Sequence, residues 1–231
     1  NLSHCRAVVS ISPGIHHQLK HLLGENEVDL RLILNGVPDR PRSTAHRDGP
    51  DVFAFGRFAD EKGFHVLIDA LGETSKEHRN LRATIAGSGP EGNALRAQAH
   101  RHGLSDRIQF PGWLGQKEIQ GMLDRARVVV IPSVWEEPFG LVVAEAMMAG
   151  APIIASSSGF LEEAISDGET GFLVPPRDSQ ALAKRMDHVL NMSAGNLEAL
   201  SLRAHEEAAK RFSEQRWLRE YRHMFRELAS R

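Results

Sequence analysis

From residue 51 onward, two spacings of apolar residues alternate along the chain. Short continuous apolar runs predict buried strands over residues 52–56, 81–87, 108–110, 128–132, 152–156 and 171–174. Between them, apolar residues recur three and four apart, and this predicts helices over 64–77, 90–102, 117–125, 141–149, 161–166 and 179–192. Strand then helix, repeated, predicts an α/β fold: a doubly wound parallel sheet with helices on both faces and right-handed crossovers. Ahead of this lie a predicted strand over 6–12, a helix that opens at Pro13 and runs to 23, and a strand over 29–35 ended by Asn35-Gly36. Residues 37–50 are rich in Pro, Arg, Asp and Gly and predict a linker. Two helices close the chain, over 197–211 and 213–230. The second carries Trp217, Leu218, Tyr221, Met224, Phe225 and Leu228 as one apolar stripe.

The segment 132–150 organises this pattern. It follows a buried strand that Pro132 stops, and Pro138 and Gly140 shape a turn. A helix follows that is apolar all round except at Glu145, and Gly150 stops it. A lone carboxylate on a buried helix is costly unless something hydrogen-bonds to it. Helical side chains lean toward the N-terminus, so Glu145 is expected to point back toward the turn that carries Glu137. Two carboxylates then converge at a helix N-terminus beside a strand's C-terminal end, where open α/β sheets bind ligands and free N–H groups meet anions. A ligand with hydroxyls and phosphates, such as a nucleotide sugar, suits that chemistry. The alternative reading makes Glu145 a structural carboxylate paired with a core arginine.

Composition narrows the classes. The chain has 28 Lys and Arg against 30 Asp and Glu, so nothing in its charge demands nucleic acid. Its single cysteine, Cys5, rules out an internal disulfide and fits a reducing, cytoplasmic compartment. No apolar run reaches membrane-spanning length. Asn1-Leu2-Ser3 and Asn191-Met192-Ser193 match the glycosylation sequon and read as chance matches, because no secretory signal is visible. The start at Asn1 points to a fragment or a processed chain. Twelve histidines invite a metal reading, but adjacent His16-His17 and His100 and His102, two apart on a helix, share no face. No cluster has ligand spacing, and neither a Ser-His-Asp nor a Cys-His signature occurs.

Glu137-Pro-Phe-Gly-Leu-Val-Val-Ala-Glu145 resembles the Glu-x7-Glu signature of the retaining nucleotide-sugar glycosyltransferases, group 1, whose fold is GT-B. Gly56-Arg57-Phe58-Ala59-Asp60-Glu61-Lys62-Gly63 matches the same family's Gly-Arg-x4-Lys-Gly loop. On their own, two cations in a sheet-edge loop are more often solvated surface charges. The resemblance implies that Arg57 and Lys62 hold the donor diphosphate, where fixed cations stabilise the charge that grows as the glycosidic bond breaks. Gly87-Ser-Gly-Pro-Glu-Gly92 matches the dinucleotide fingerprint, but it follows the wrong strand. Pro90 also removes an N–H, and no acid closes the next strand. It reads as a tight turn whose small residues let the donor approach the backbone. Gly112-Trp113-Leu114-Gly115 resembles the loop that holds the nucleotide base through backbone atoms near Leu114. Partly buried packing for Trp113 and Leu114 stays equally open. Gly159-Phe-Leu-Glu-Glu163 and Asp167-Gly-Glu-Thr-Gly171 complete the resemblance, with Ser158 standing where the family usually has glycine.

The resemblance covers residues 51–195 well and implies a Rossmann-like, donor-binding half of a GT-B fold. Residues 1–36 then form the tail of an N-terminal acceptor domain, 37–50 the linker, 51–212 the donor domain and 213–231 a crossover helix. Its site residues are Glu137, Arg57 and Lys62 at the reacting end, with Gly56, Leu114, Phe139, Gly140, Leu141 and Glu145 binding the rest of the donor. Glu137 takes sugar hydroxyls, Glu145 takes the ribose diol, and residues 139–141 offer backbone N–H groups. No cofactor or metal is implied, since the cations replace it. The expected partners are a nucleotide sugar and a sugar, lipid or small-molecule acceptor, with peripheral membrane contact by the basic closing helix as a weaker expectation. A GT-B epimerase or phosphorylase, or a binding module without turnover, are the alternatives.

Overall fold

The computed structural model describes residues 5–24, 28–43 and 47–230. The sequon at Asn1-Leu2-Ser3 therefore lies outside the described residues, as do parts of the expected tail and linker. Six strands form one parallel sheet: β3 (Val52–Phe55), β4 (Ala83–Ala86), β5 (Ile108–Gln109), β6 (Val128–Ile131), β7 (Ile153–Ser156) and β8 (Phe172–Val174). Their spatial order is β5-β4-β3-β6-β7-β8. The order reverses between β3 and β6, which pair through Val52 with Val128 and Phe53 with Val129. Such a reversal parts the loops at the strands' C-terminal ends and opens a crevice.

Both faces of the sheet are covered, and alternate residues feed the two cores. Val52, Ala54 and Val130 pack with helices α2 (Phe64–Glu77), α3 (Gly92–Arg101) and α7 (Ser179–Leu190). Phe53, Val129 and Ile153 face the other way, onto α4 (Gln116–Arg125), α5 (Leu141–Met148), α6 (Phe160–Ala164) and α8 (Ala194–Arg211). Period-two alternation inside continuous apolar strands is what a sheet buried on both faces requires. The doubly wound α/β expectation and its element order hold. Element ends shift by up to three residues. The helix expected over 90–102 starts at Gly92, after the turn that Pro90 begins. The helix expected from 197 starts at Ala194, because the Ser193 hydroxyl accepts the Asn196 N–H as an N-cap.

The N-terminal segment forms a separate parallel pair, β1 (Ala7–Ser10) and β2 (Asp29–Leu32), joined by α1 (Pro13–Leu23), which buries none of its residues. The strand expected over 29–35 stops at Leu32. Beyond it the chain turns its carbonyls to the last helix, α9 (Glu214–Ala229): Arg216 Nη2 donates to the Leu34 carbonyl at 2.6 Å. Arg31 pairs with Glu227 at 2.5 Å and Arg6 donates to the Leu228 carbonyl, so α9 is fastened to this small unit.

Residues 37–43 and 47–50 are held down by arginines. The Arg47 guanidinium donates to the carbonyls of Ala126 at 3.0 Å and Gly150 at 2.6 Å, and to Ser201 Oγ at 3.0 Å. It thereby ties the end of α4 to the end of α5, and its burial lowers its pKa to about 10. Arg40 pairs with Asp124 on α4, and Arg42 with Glu198 on α8. Among the described residues no helix is long and apolar enough to cross a membrane.

Candidate functional site

Two adjoining cavities open at the C-terminal ends of β3, β4 and β6. The larger, about 730 Å³, takes in Gly56, Arg57, Leu114 and Glu145. The smaller, about 430 Å³, takes in Lys62, Glu137, Phe139, Gly140 and Leu141. Both share Phe55, Gly56 and Arg57, so the turn after β3 is the joint between them.

The glycines of these turns are set by close approach. A Cβ on Gly87, at φ +144°, would overlap the Gly56 carbonyl, and one on Gly89 would overlap the Phe58 carbonyl. The turn at 87–92 is therefore small first because the 56–58 turn lies against it, joined by Phe58 N–H to the Ser88 carbonyl at 2.8 Å. Close packing of the two turns is thus a reason for small residues there beside the expected approach of the donor. Gly63 takes the left-handed conformation where the Pro132 carbonyl leaves no room for a side chain.

Glu137 is 6 % exposed, and one of its carboxylate oxygens has two partners. Lys62 Nζ stands 2.5 Å from its Oε1, and Ser133 Oγ donates to the same atom at 2.6 Å. Its backbone is pinned as well. The Phe160 N–H donates to the Glu137 carbonyl at 2.9 Å, and a Cβ on Gly159 would fall 2.6 Å from the Glu137 nitrogen and oxygen. Ser133 and Gly159 were not among the sequence candidates. Ser133 carries no distinguishing pattern. Gly159 opens the 159–163 stretch that completes the resemblance, but no site role was read from it.

Glu145 differs. It is half-buried on α5, and its carboxylate has no hydrogen bond or ion pair with the described residues. Burial alone raises its pKa. The arginine partner required by the structural alternative is not found among the described residues. The spacing of Glu137 and Glu145 puts one in the turn and one on the helix flank, and they line separate cavities that meet only at residues 55–57.

Arg57 is largely exposed, pairs with Glu61 four residues on, and lines both cavities. Gly140 precedes α5 at φ +70° without a side-chain cap, so the first-turn N–H groups of Leu141 and Val142 have no intrahelical partner. The Phe139 ring is buried and stacks on Phe160 at 4.5 Å, which leaves its backbone to the smaller cavity. Among the described residues no group of three or more His, Cys, Asp or Glu side chains is placed to hold a metal ion.

A signature loop with arginine and lysine, and two carboxylates eight residues apart at a helix start, now sit at one sheet crevice. The family described as Glycosyl transferases group 1 matches residues 38–211. The chain belongs to that family. It is 35 % identical over 190 residues to a glycogen synthase of Mycobacterium tuberculosis, covering 80 % of this chain and 45 % of that protein. It is 35 % identical over 165 residues to a phosphatidyl-myo-inositol mannosyltransferase of Mycobacterium leprae, covering 70 % and 43 %. The chain thus spans less than half the length of these relatives. Among solved structures, sucrose-phosphate synthase from Thermosynechococcus elongatus superposes with a TM-score of 0.84 at 27 % identity, over 99 % of this chain and 60 % of that one. Anabaena HepE in complex with UDP-glucose superposes with a TM-score of 0.83 at 25 % identity, over 98 % and 64 %. Both are GT-B glycosyltransferases, so this group 1 chain shares the GT-B architecture over its own length.

Proposed function

We propose that the chain is the donor-binding half of a retaining nucleotide-sugar glycosyltransferase. The observation that carries this reading is the pair of joined cavities, one with an unpartnered carboxylate and one with a lysine-paired carboxylate, meeting at the Gly56-Arg57 turn. Glu145 accepts hydrogen bonds from the two ribose hydroxyls, a role that suits a buried carboxylate without a protein partner. Arg57 and Lys62, with the N–H groups that open α5, hold the diphosphate. As the bond from the sugar to the diphosphate breaks, charge gathers on the leaving phosphate oxygen, and these fixed groups stabilise that charge. Glu137, on the far side of the joint, takes hydroxyls of the sugar being transferred and orients it. Lys62 serves both ends, because it lies between the phosphate turn and Glu137.

The reading is supported by family membership and by the complexes of the fold neighbour HepE with UDP and UDP-glucose. The test is calorimetry of this chain against nucleoside diphosphates, followed by a transfer assay on the complete protein with the product anomer read by NMR. An anomer inverted relative to the donor overturns the retaining reading. Failure to bind any nucleoside diphosphate overturns donor binding.

A further inference from the structure

Helix α1 contributes no residue to either cavity and buries none of its own. An 11-residue helix that packs so lightly is marginal on its own in water. Its ends are nevertheless well made. The Ser12 hydroxyl accepts the Ile15 N–H, Pro13 opens the first turn, and the Gly24 N–H donates to the Lys20 carbonyl at 3.2 Å.

The helix carries three histidines, and the fold gives them different settings. His16 Nδ1 is 2.8 Å from Ser10 Oγ, a hydroxyl that itself donates to the Arg31 carbonyl at 3.0 Å. His16 is therefore engaged. His17 and His21 are exposed and have no hydrogen bond or ion pair with the described residues. They are four residues apart, the spacing at which helical side chains stand one above the other. Their ring centroids are 6.1 Å apart, with the planes at 84°. With metal–nitrogen bonds of about 2.0–2.1 Å, two imidazoles on one ion stand about 5 Å apart between centroids. A small rotation of two exposed side chains closes that difference.

The surroundings leave room for an ion. The same stripe continues as Gly14 at one end and Gly24 at the other, and neither has a side chain to crowd it. A Cβ on Gly14 would stand 3.7 Å from Glu163 Oε1, so a carboxylate borders the end toward which His17 leans. Lys20 flanks the pair, but it is exposed and its long chain can swing its charge into water.

We propose that His17 and His21 form a surface chelate for a divalent transition-metal ion of the Zn²⁺, Ni²⁺ and Cu²⁺ class. Imidazole nitrogen suits these ions, whereas Mg²⁺ and Ca²⁺ take oxygen ligands. Among the described residues no third His, Cys, Asp or Glu is placed to join them, so water fills the remaining positions. The second histidine binds an ion already held by the first, and this raises affinity above that of a lone surface histidine. An ion that bridges one helical turn also favours the helical form of α1, and so steadies the small β1-α1-β2 unit. The inference does not depend on the donor-site reading.

The test is calorimetry of the chain, without any affinity tag, against Cu²⁺, Ni²⁺, Zn²⁺ and Mg²⁺, with each variant's fold checked by circular dichroism. One ion per chain is expected, Cu²⁺ tightest and Mg²⁺ not bound. His17→Ala and His21→Ala are each expected to weaken binding about tenfold or more, and the double variant to bind no more weakly than either. The double change His21→Ala, Leu22→His keeps the number of histidines at a position that is 81 % exposed, but spaces the pair five apart. It is expected to bind as weakly as His21→Ala. His100→Ala, which removes an exposed histidine elsewhere, is expected to bind as the parent does. A parent that binds none of these ions, a single variant that keeps the parent's affinity, or a five-apart variant that binds as well as the parent overturns the chelate.

Discussion

Lys62 Nζ lies 2.5 Å from Glu137 Oε1, across 75 positions of sequence, and Glu137 is 6 % exposed. The contact joins the turn after β3 to the turn before α5, and so connects the two strands between which the sheet reverses. Removing one partner leaves the other without its counter-charge in a low-dielectric setting, which destabilises more than the pair itself stabilises. Lys62→Met should lower stability by about 1–3 kcal/mol, softened by the Ser133 hydroxyl that still reaches Glu137. The double variant Lys62→Met, Glu137→Gln should recover most of that loss and still bind nucleoside diphosphates weakly. Thermal melts with a double-mutant cycle check the coupling. Glu137→Gln alone should spare nucleoside diphosphate and impair the intact sugar donor.

Glu145 supplies a pH-dependent prediction. Burial raises its folded pKa above the unfolded value, so the folded protein holds this proton more tightly. The linkage sign follows: Glu145 costs the fold nothing below its unfolded pKa, and its penalty grows as pH rises through the window up to its folded pKa. Glu145→Gln should therefore raise the melting temperature at neutral pH and leave it unchanged in acid. The same variant should weaken nucleoside diphosphate and nucleotide sugar by a similar factor, about ten- to hundredfold. Parent affinity should fall as pH drops through the raised pKa, because a protonated carboxyl accepts fewer hydrogen bonds. A folded Glu145→Gln protein that binds normally makes Glu145 a purely structural carboxylate.

The succession of strands and helices could be anticipated because continuous apolar runs and helical spacings alternate without interruption from Val52 to Leu190; their spatial order could not. Gly56, Arg57, Lys62 and Glu137 were legible because their loop and turn carry distinctive text. Ser133 was not, since a serine four residues before a glutamate has no periodic or motif meaning until both face one carboxylate oxygen. Arg47 was hidden for a different reason. An arginine in a Pro- and Gly-rich stretch reads as solvated, and only the fold brings the carbonyls of Ala126 and Gly150 around it. Helical lean gives a direction along the axis and says nothing about which of the two adjoining cavities a side chain lines, so the division of Glu137 and Glu145 between them was not legible.

Gly159 should prove as demanding as the signature residues. It stands at φ +57°, and any Cβ would fall 2.6 Å from the Glu137 backbone nitrogen and oxygen. Gly159→Ala must shift the 136–137 backbone or the start of α6, at about 1–3 kcal/mol. Melting temperature should drop. Binding of the intact donor should fall more than binding of nucleoside diphosphate, because Glu137 moves and Glu145 does not. Equal losses for both ligands would place the damage elsewhere.

Arg57 and Glu61 form an exposed pair four residues apart, and their separation by mutation tests whether the loop meets phosphate. An exposed pair contributes about 0–1 kcal/mol to stability, so neither Arg57→Ala nor Glu61→Gln should shift the melting temperature much. Their effects on binding should have opposite signs. Arg57→Ala removes a charged donor and should weaken nucleoside diphosphate by about 1.5–3 kcal/mol, with the free nucleoside affected far less. Glu61→Gln removes the carboxylate that competes with phosphate for the guanidinium, and should strengthen diphosphate binding up to severalfold. Added salt should shrink the difference between parent and Glu61→Gln, since the competing pair is exposed and screened. Calorimetry with nucleoside and nucleoside diphosphate, at low and high ionic strength, reads all of these at once. A Glu61→Gln protein that binds diphosphate as weakly as Arg57→Ala would show that Glu61 holds Arg57 in its working orientation and does not compete with the ligand.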